Sequence, residues 1–299
     1  MKGFCLSSSY PEKGVGWLDI PKPEIQNPYD AILTPVAVCP CTSDVHSAKA
    51  NIGGGNAASN LILGKSGQNR PDIVLGHEAV ARVVEVGALV TDIKVGDIVA
   101  VPCVTPNWLT PEVQSGWYQH SGGQAGGRFT SLRDHGVFGE YFRIPFADMN
   151  LARIPDGVSL AAGVMATDMI TTGFSGVEMA DVQYGDTVVV IGIGPVGLMA
   201  VAGAALRGAG RIIAVGSRPL TRKLAVEYGA ETTVSYKDGP IGEQVKELLG
   251  GAKADAVIVA GGNEQTISEA MGMLHVYGRC ANLLGLSGEL TIHPGDSGA

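Results

Sequence analysis

Five cysteines in 299 residues, Cys5, Cys39, Cys41, Cys103 and Cys280, are too few, too scattered and odd in number for a disulfide framework. No signal-peptide pattern precedes them, so the expected setting is a reducing one, the cytoplasm. Charge is scarce too, at 17% of residues, with 21 Lys and Arg against 29 Asp and Glu for a net charge of −8. A polyanion needs a concentrated basic surface, and no Lys/Arg cluster exists to make one, which sets nucleic acid aside. One uncharged run, 187–206, is long enough to span a membrane. Gly192, Gly194, Pro195 and Gly197 interrupt its first half, β-branched residues precede them, and Ala, Leu and Met follow. That order spells a strand, a glycine turn and a buried helix, so no membrane partner is expected.

What is present is apolar surface: 45% hydrophobic residues and a mean hydropathy of +0.19, enough for a large core and two domains. Glycine is abundant, at 43 residues, as in a chain with many tight turns or close backbone approaches. The first half offers short strand-like runs at 30–38, 79–86 and 97–101, and reads as a mainly β domain. Two long stretches, 47–76 and 105–136, read as loops: surface linkers in one reading, walls or lids of a site in the other. From about Thr171 the pattern alternates. Apolar strands at 187–191, 211–215 and 256–260 are separated by helical spacings: Leu220, Leu224 and Tyr228; Ile241, Val245, Leu248 and Leu249; Ile267, Ala270, Met271 and Leu274. Strand then helix, repeated, predicts a doubly wound parallel sheet, and the overall class is α/β.

Gly192-Ile193-Gly194-Pro195-Val196-Gly197 is a GxGxxG placed directly after a strand and opening a helix. The first glycine permits the turn, the second lets backbone approach a pyrophosphate, the third lets helix pack on strand, and the helix N-terminus faces the anion. The motif predicts a dinucleotide site. An NAD fold usually carries an acidic residue about 20 positions on, for the ribose 2′-hydroxyl. Gly216-Ser217-Arg218 stands there instead, with no carboxylate to repel a 2′-phosphate and an arginine to pair with one, so NADP(H) is the expected cofactor. The plainer alternative is that Arg218 is a solvated helix-start residue.

The 41–46 segment packs Cys41, Thr42, Ser43, Asp44, Val45 and His46 together, and Gly76-His77-Glu78 follows later. Singly these read as a small buried thiol, a Ser-Asp cap and a core histidine; together they suggest a catalytic zinc site, and spacing alone leaves both readings open.

Longer stretches carry a resemblance: PCTSDVH at 40–46, LGHEAV at 75–80, GVFGEYF at 136–142, ADMNLA at 147–152, DMITTGF at 168–174, VVVIGIGPVGLMAVAGA at 188–204, RGAGRIIAVGSRP at 207–219, YKDGPI at 236–241 and AGGN at 260–263. In these the chain closely resembles the tetrameric NADP-dependent secondary alcohol dehydrogenases of bacteria and anaerobic protists, within the zinc-containing medium-chain dehydrogenases. The resemblance implies a GroES-like catalytic domain over 1–171 and a Rossmann NADP-binding domain over 172–299, with the active site in the cleft between them. It implies one catalytic zinc held by Cys41, His77 and Asp168, with Glu78 a fourth or transient ligand, and Asp44 orienting His77. Ser43 would take the hydroxyl proton of a small secondary alcohol and His46 would relay it, while hydride passes to the nicotinamide. Gly216, Ser217, Arg218 and Tyr236 would surround the 2′-phosphate. Many relatives hold a second, structural zinc on four close cysteines; with only Cys103 in that stretch, none is expected here. A homotetramer is implied as well.

The chain departs from the family in three places. The 47–76 loop is longer than usual, a tryptophan usual near Arg128 and an Asn-Tyr pair usual near Leu284-Gly285 are missing, and the family continues beyond Ala299 with a last strand and a returning tail. The expectation is therefore a C-terminally truncated Rossmann domain and an enlarged substrate pocket. These leave two alternatives to a secondary alcohol dehydrogenase: a polyol or aldehyde reductase of the same superfamily, or an NADP-binding protein inactive through truncation.

Overall fold

The computed structural model describes residues 1–7, 14–49, 72–118, 136–285 and 289–290, without the side chains of 46–49. It divides into two compact units, Met1–Asp168 and Met169–Ala299.

The first unit is built on antiparallel strands. β1 (Lys2–Leu6), β2 (Val15–Asp19), β3 (Ala31–Val38), β4 (Ile73–Val74), β5 (Ala79–Val86), β6 (Ile98–Val101), β7 (Phe142–Ile144) and β8 (Ala152–Arg153) form two sheets, ordered β2-β1-β4 and β7-β3-β5-β6-β8. Alternation puts Ala31, Leu33, Ala79, Ala81, Val83, Val99 and Val101 on one inner face with Phe142 and Ile144. Helix Thr42–Lys49 follows β3, so the stretch expected as loop from 47 begins inside a helix. The 105–136 stretch likewise contains a short helix, Pro111–Gln114, opened by proline at its first turn, where the missing N–H costs nothing. The SGGQAGG run, Arg128 and residues 50–71 lie outside the described residues. Helix Leu160–Thr167 starts on Ser159, whose hydroxyl accepts the Ala162 N–H at 3.2 Å.

The second unit is a five-stranded parallel sheet, ordered β11-β10-β9-β12-β13, made of β9 (Thr187–Ile191), β10 (Arg211–Val215), β11 (Thr232–Val234), β12 (Ala254–Val259) and β13 (Leu274–Asn282). Both faces are covered. Val188, Val190, Ile212, Ala214, Ala256 and Ile258 pack with helix Pro195–Leu206, while Val189, Ile191, Ile213, Val215, Val257 and Val259 pack with helices Ile241–Leu248 and Glu264–Met273. Burial on two sides is why these strands read as continuous apolar runs. The helical spacing expected to run through Leu274 ends at Met273, and Leu274 opens β13. β13 is irregular: its register against β12 shifts between Ala254 and Ala256, and Tyr277 has a left-handed φ of 69°. Sheet order reverses between β9 and β12, the position where doubly wound sheets bind ligands at their carboxyl ends.

Candidate functional site

Cys41 immediately precedes helix Thr42–Lys49, and Asp44 in that helix's first turn folds back on it. The Asp44 Oδ2 accepts the Cys41 N–H at 3.0 Å, and Oδ1 accepts the Gly76 N–H at 3.0 Å and faces His77 Nδ1 at 3.1 Å. A carboxylate that already accepts two amide protons can only accept again, so Nδ1 carries the hydrogen and Nε2 is turned the other way. Gly76 has φ +91°, and a Cβ there would lie 2.5 Å from the Phe138 ring. The 136–138 segment clamps the same stretch, with Gly136, Val137 and Phe138 N–H groups donating to Val74, Gly76 and Leu75 carbonyls. No side-chain-bearing residue fits position 76 without moving that clamp, and His77 would move with it.

His77 Nε2 lies 3.5 Å from Asp168 Oδ2 and 3.8 Å from Glu78 Oε1. Asp168 stands at the break between helices Leu160–Thr167 and Met169–Met179, at φ −145° and ψ −65°, outside helical geometry. One ligand atom each from Cys41, His77, Glu78 and Asp168 falls within 4.8 Å of all the others. Ser43 is half-buried one residue before Asp44; the His46 side chain lies outside the described residues. Cys39 and Cys103 flank the cluster, the Cys39 N–H donating to the Glu78 carbonyl and the Cys103 N–H to that of Thr167.

The electrostatics of this cluster favour a cation. Glu78 is fully buried and neither carboxylate oxygen makes a hydrogen bond; burial first, and the Asp168 charge second, push its carboxyl up to about 7. Burial opposes a charge on His77, but the neighbouring Asp168, Asp44 and Cys41 groups outweigh that and hold its proton up to about 12. Burial, with Asp168 and Glu78 adding, also drives the Cys103 thiol up. A proton on His77 is the smallest charge that can answer two buried carboxylates and a thiol; a divalent metal answers them better. One sulfur, one imidazole nitrogen and two carboxylates are a donor set suited to zinc, and Asp44 on Nδ1 is the outer partner that metal-bound histidines carry.

In the second unit, the carboxyl ends of the central strands open onto a cavity of about 700 Å³. Ile191, Val215 and Val259 align across β9, β10 and β12, which brings the turns that follow them together. Gly192 has φ +91° and a Cβ there would meet Gly261 Cα at 2.4 Å. At Gly197 a Cβ would sit 2.0 Å from the Gly192 carbonyl, so helix and strand touch backbone to backbone. Gly194 caps helix Pro195–Leu206, with Pro195 at its first position and Val196 following. Gly216, Ser217, Arg218 and Tyr236 all line the cavity, and Ser217 Oγ donates to the Tyr236 hydroxyl at 2.8 Å. Arg218 Nη2 lies 3.9 Å from where a Gly194 Cβ would be, beside the amino end of the helix. Thr221, Pro240, Thr266 and Glu269, outside the residues expected from the sequence, also line it. The Asn263-x-x-Thr266 pair, a capping box, was the available signal for the last two.

Comparison with known proteins decides the family. Residues 27–156 match the alcohol dehydrogenase GroES-like domain and residues 195–297 the zinc-binding dehydrogenase domain. The chain is 51% identical over 284 residues to an NADP-dependent isopropanol dehydrogenase of Thermoanaerobacter brockii, covering 95% of this chain and 75% of that one. The chain belongs to the zinc-containing alcohol dehydrogenase family. This alcohol dehydrogenase is also 46% identical over 261 residues to an NADP-dependent isopropanol dehydrogenase of Entamoeba histolytica, covering 87% of this chain and 67% of that one. Among solved structures, the apo form of zinc dependent alcohol dehydrogenase 2 from Streptococcus pneumonia superposes with a TM-score of 0.83 at 27% identity, covering 98% of this chain and 78% of that one. The expected class, an α/β chain with a GroES-like part and a Rossmann part, is the class observed. Among the described residues, no helix is long and apolar enough to cross a membrane.

Proposed function

We propose that this alcohol dehydrogenase interconverts small secondary alcohols and their ketones, using NADP(H) and one zinc per chain. The observation that carries the reading is the convergence of Cys41, His77, Glu78 and Asp168, with Glu78 buried and unbonded in their midst. Cys41, His77 and Asp168 would hold zinc, with Glu78 as a fourth or exchanging ligand. When bound, zinc supplies Lewis acidity toward a substrate oxygen, and the nicotinamide accepts or returns the hydride.

The remaining work falls to the chain. Asp44 keeps the His77 hydrogen on Nδ1 and ties the Cys41 backbone to the same carboxylate, so two ligands are positioned by one side chain. Ser43 takes the alcohol's hydroxyl proton, and His46, three positions on, passes it toward solvent. In the cofactor cavity the amino end of helix Pro195–Leu206 receives the pyrophosphate, and Ser217, Arg218 and Tyr236 receive the 2′-phosphate, with Gly216 leaving room. The names of the similar proteins support isopropanol-sized substrates. A homotetrameric assembly in the cytoplasm, with no second, structural zinc, completes the proposal.

The test is NADPH oxidation on a panel of small ketones and aldehydes, before and after chelation, with light scattering for the assembly. Turnover of ketones that is lost on chelation, regained with zinc and weaker with NADH is the expected result. Full turnover in a zinc-stripped sample, or none on any ketone, refutes the reading.

A further inference from the structure

Two charged side chains stand among the described residues lining the dinucleotide cavity, Arg218 and Glu269. Arg218 lies beside Gly194, so cation and helix amino end are at the same place, and together they mark where phosphates go. Glu269 belongs to a different wall. It sits one helical turn after Thr266 on helix Glu264–Met273, which packs beside helix Ile241–Leu248, whose start contributes Pro240 and Ile241 to the lining. The Thr266 hydroxyl is engaged in the capping box, accepting the Asn263 N–H at 3.1 Å and lying 3.4 Å from Asn263 Oδ1.

Resting on the cofactor reading above, we infer that Glu269 accepts a hydrogen bond from the 6-amino group of the cofactor's adenine, so that the site selects a 6-aminopurine dinucleotide. Proline and isoleucine offer apolar surface to a flat ring. A carboxylate lining the same cavity repels a phosphate and pairs with a donor. The phosphates are provided for at the end of β10 and the helix amino end, where Ser217 and Arg218 stand. Among the donors of such a cofactor, the 6-amino group is the one carried on the edge of a flat purine ring, and a 6-oxo purine presents an acceptor at that position. At position 6, an oxygen facing Glu269 meets repulsion where the amino group forms a bond, and that pairing of attraction with rejection is what produces selectivity.

The probes are NADPH and its 6-oxo counterpart, reduced nicotinamide hypoxanthine dinucleotide phosphate, each titrated into the full chain by nicotinamide fluorescence. Wild type should bind NADPH about tenfold more tightly, the size of one hydrogen bond to a charged group. Glu269→Gln should bring the two within about twofold, because an amide accepts from the amino form and donates to the oxo form with equal ease. Glu269→Ala, at an exposed position, should weaken NADPH by about tenfold and the 6-oxo form less. Equal binding of both probes by wild type, or unchanged discrimination in Glu269→Gln, overturns the inference while leaving the NADP(H) reading in place. Binding of neither probe overturns both.

Discussion

Asp44→Asn is the sharpest test of how the candidate metal ligands are held. The substitution keeps size and shape but replaces one carboxylate oxygen by an NH2 group. In the native side chain one oxygen serves Gly76 and His77 and the other serves Cys41, all three as donors at 3.0–3.1 Å. Whichever way the amide turns, it sets donor against donor on one side. Turned toward Cys41, it strands a backbone N–H; turned toward His77, it removes the acceptor that fixes the ring hydrogen on Nδ1. Asp44 and His77 are buried, so water repairs little of the loss. A stranded buried donor costs about 1–3 kcal/mol, and loss of an outer partner of a metal-bound histidine typically lowers metal affinity about 10- to 100-fold, or about 1.4–2.7 kcal/mol. Zinc affinity measured by competition with a chromogenic chelator should fall within that range. Asp44→Ala, which leaves all three donors unanswered, should fall further and lower the melting temperature of the apoprotein. An Asp44→Asn protein that holds zinc as tightly as wild type would show that the carboxylate positions nothing.

Cys41→Ser and His77→Ala should each abolish stoichiometric zinc by elemental analysis, since each removes one of the three proposed principal ligands. Zinc affinity should rise with pH, because protons compete for the same atoms: the His77 proton, held up to about 12, and the Glu78 proton, held up to about 7, must leave; calorimetry should show proton release, and affinity independent of pH between 6 and 9 would refute this. Ser43→Ala should lower kcat while leaving zinc content and NADPH affinity unchanged. Arg218→Gln should reduce kcat/KM with NADPH about tenfold and leave that with NADH nearly unchanged. Placing Asp at Gly216 is the poorer route to NAD, since a Cβ there would lie 2.3 Å from Ile193 Cγ1.

The second unit was legible because local signals agreed. Around 187–206, residue type, glycine positions and helical spacing all specify strand, turn and helix, and a turn is a local event. β13 was missed for the opposite reason: it starts with no break after a helix, and its bulge at Tyr277 destroys the alternation that would reveal a strand. In the first unit, β1 and β2 are short, and in KGFCL and VGWLD the apolar residues do not alternate with polar ones, so neither spells a strand. At the candidate metal site, Cys41 and His77 stood in compact motifs. Asp168 is distant from both and was reached through resemblance alone; a carboxylate after an apolar helix has no local pattern that marks it as a ligand. The reach of Glu269 into the cavity depends on how two helices pack, which no short window contains.

The four candidate ligands sit at positions 41, 77, 78 and 168, so only His77 and Glu78 are neighbours in the chain. An unfolded chain would have to close loops of dozens of residues to assemble them, so zinc binds the native arrangement and hardly at all the unfolded one. By mass action free zinc then becomes a stabiliser of Met1–Asp168: at a hundred times its dissociation constant it adds about 2.7 kcal/mol. The melting temperature of this unit therefore reports the free zinc concentration around it.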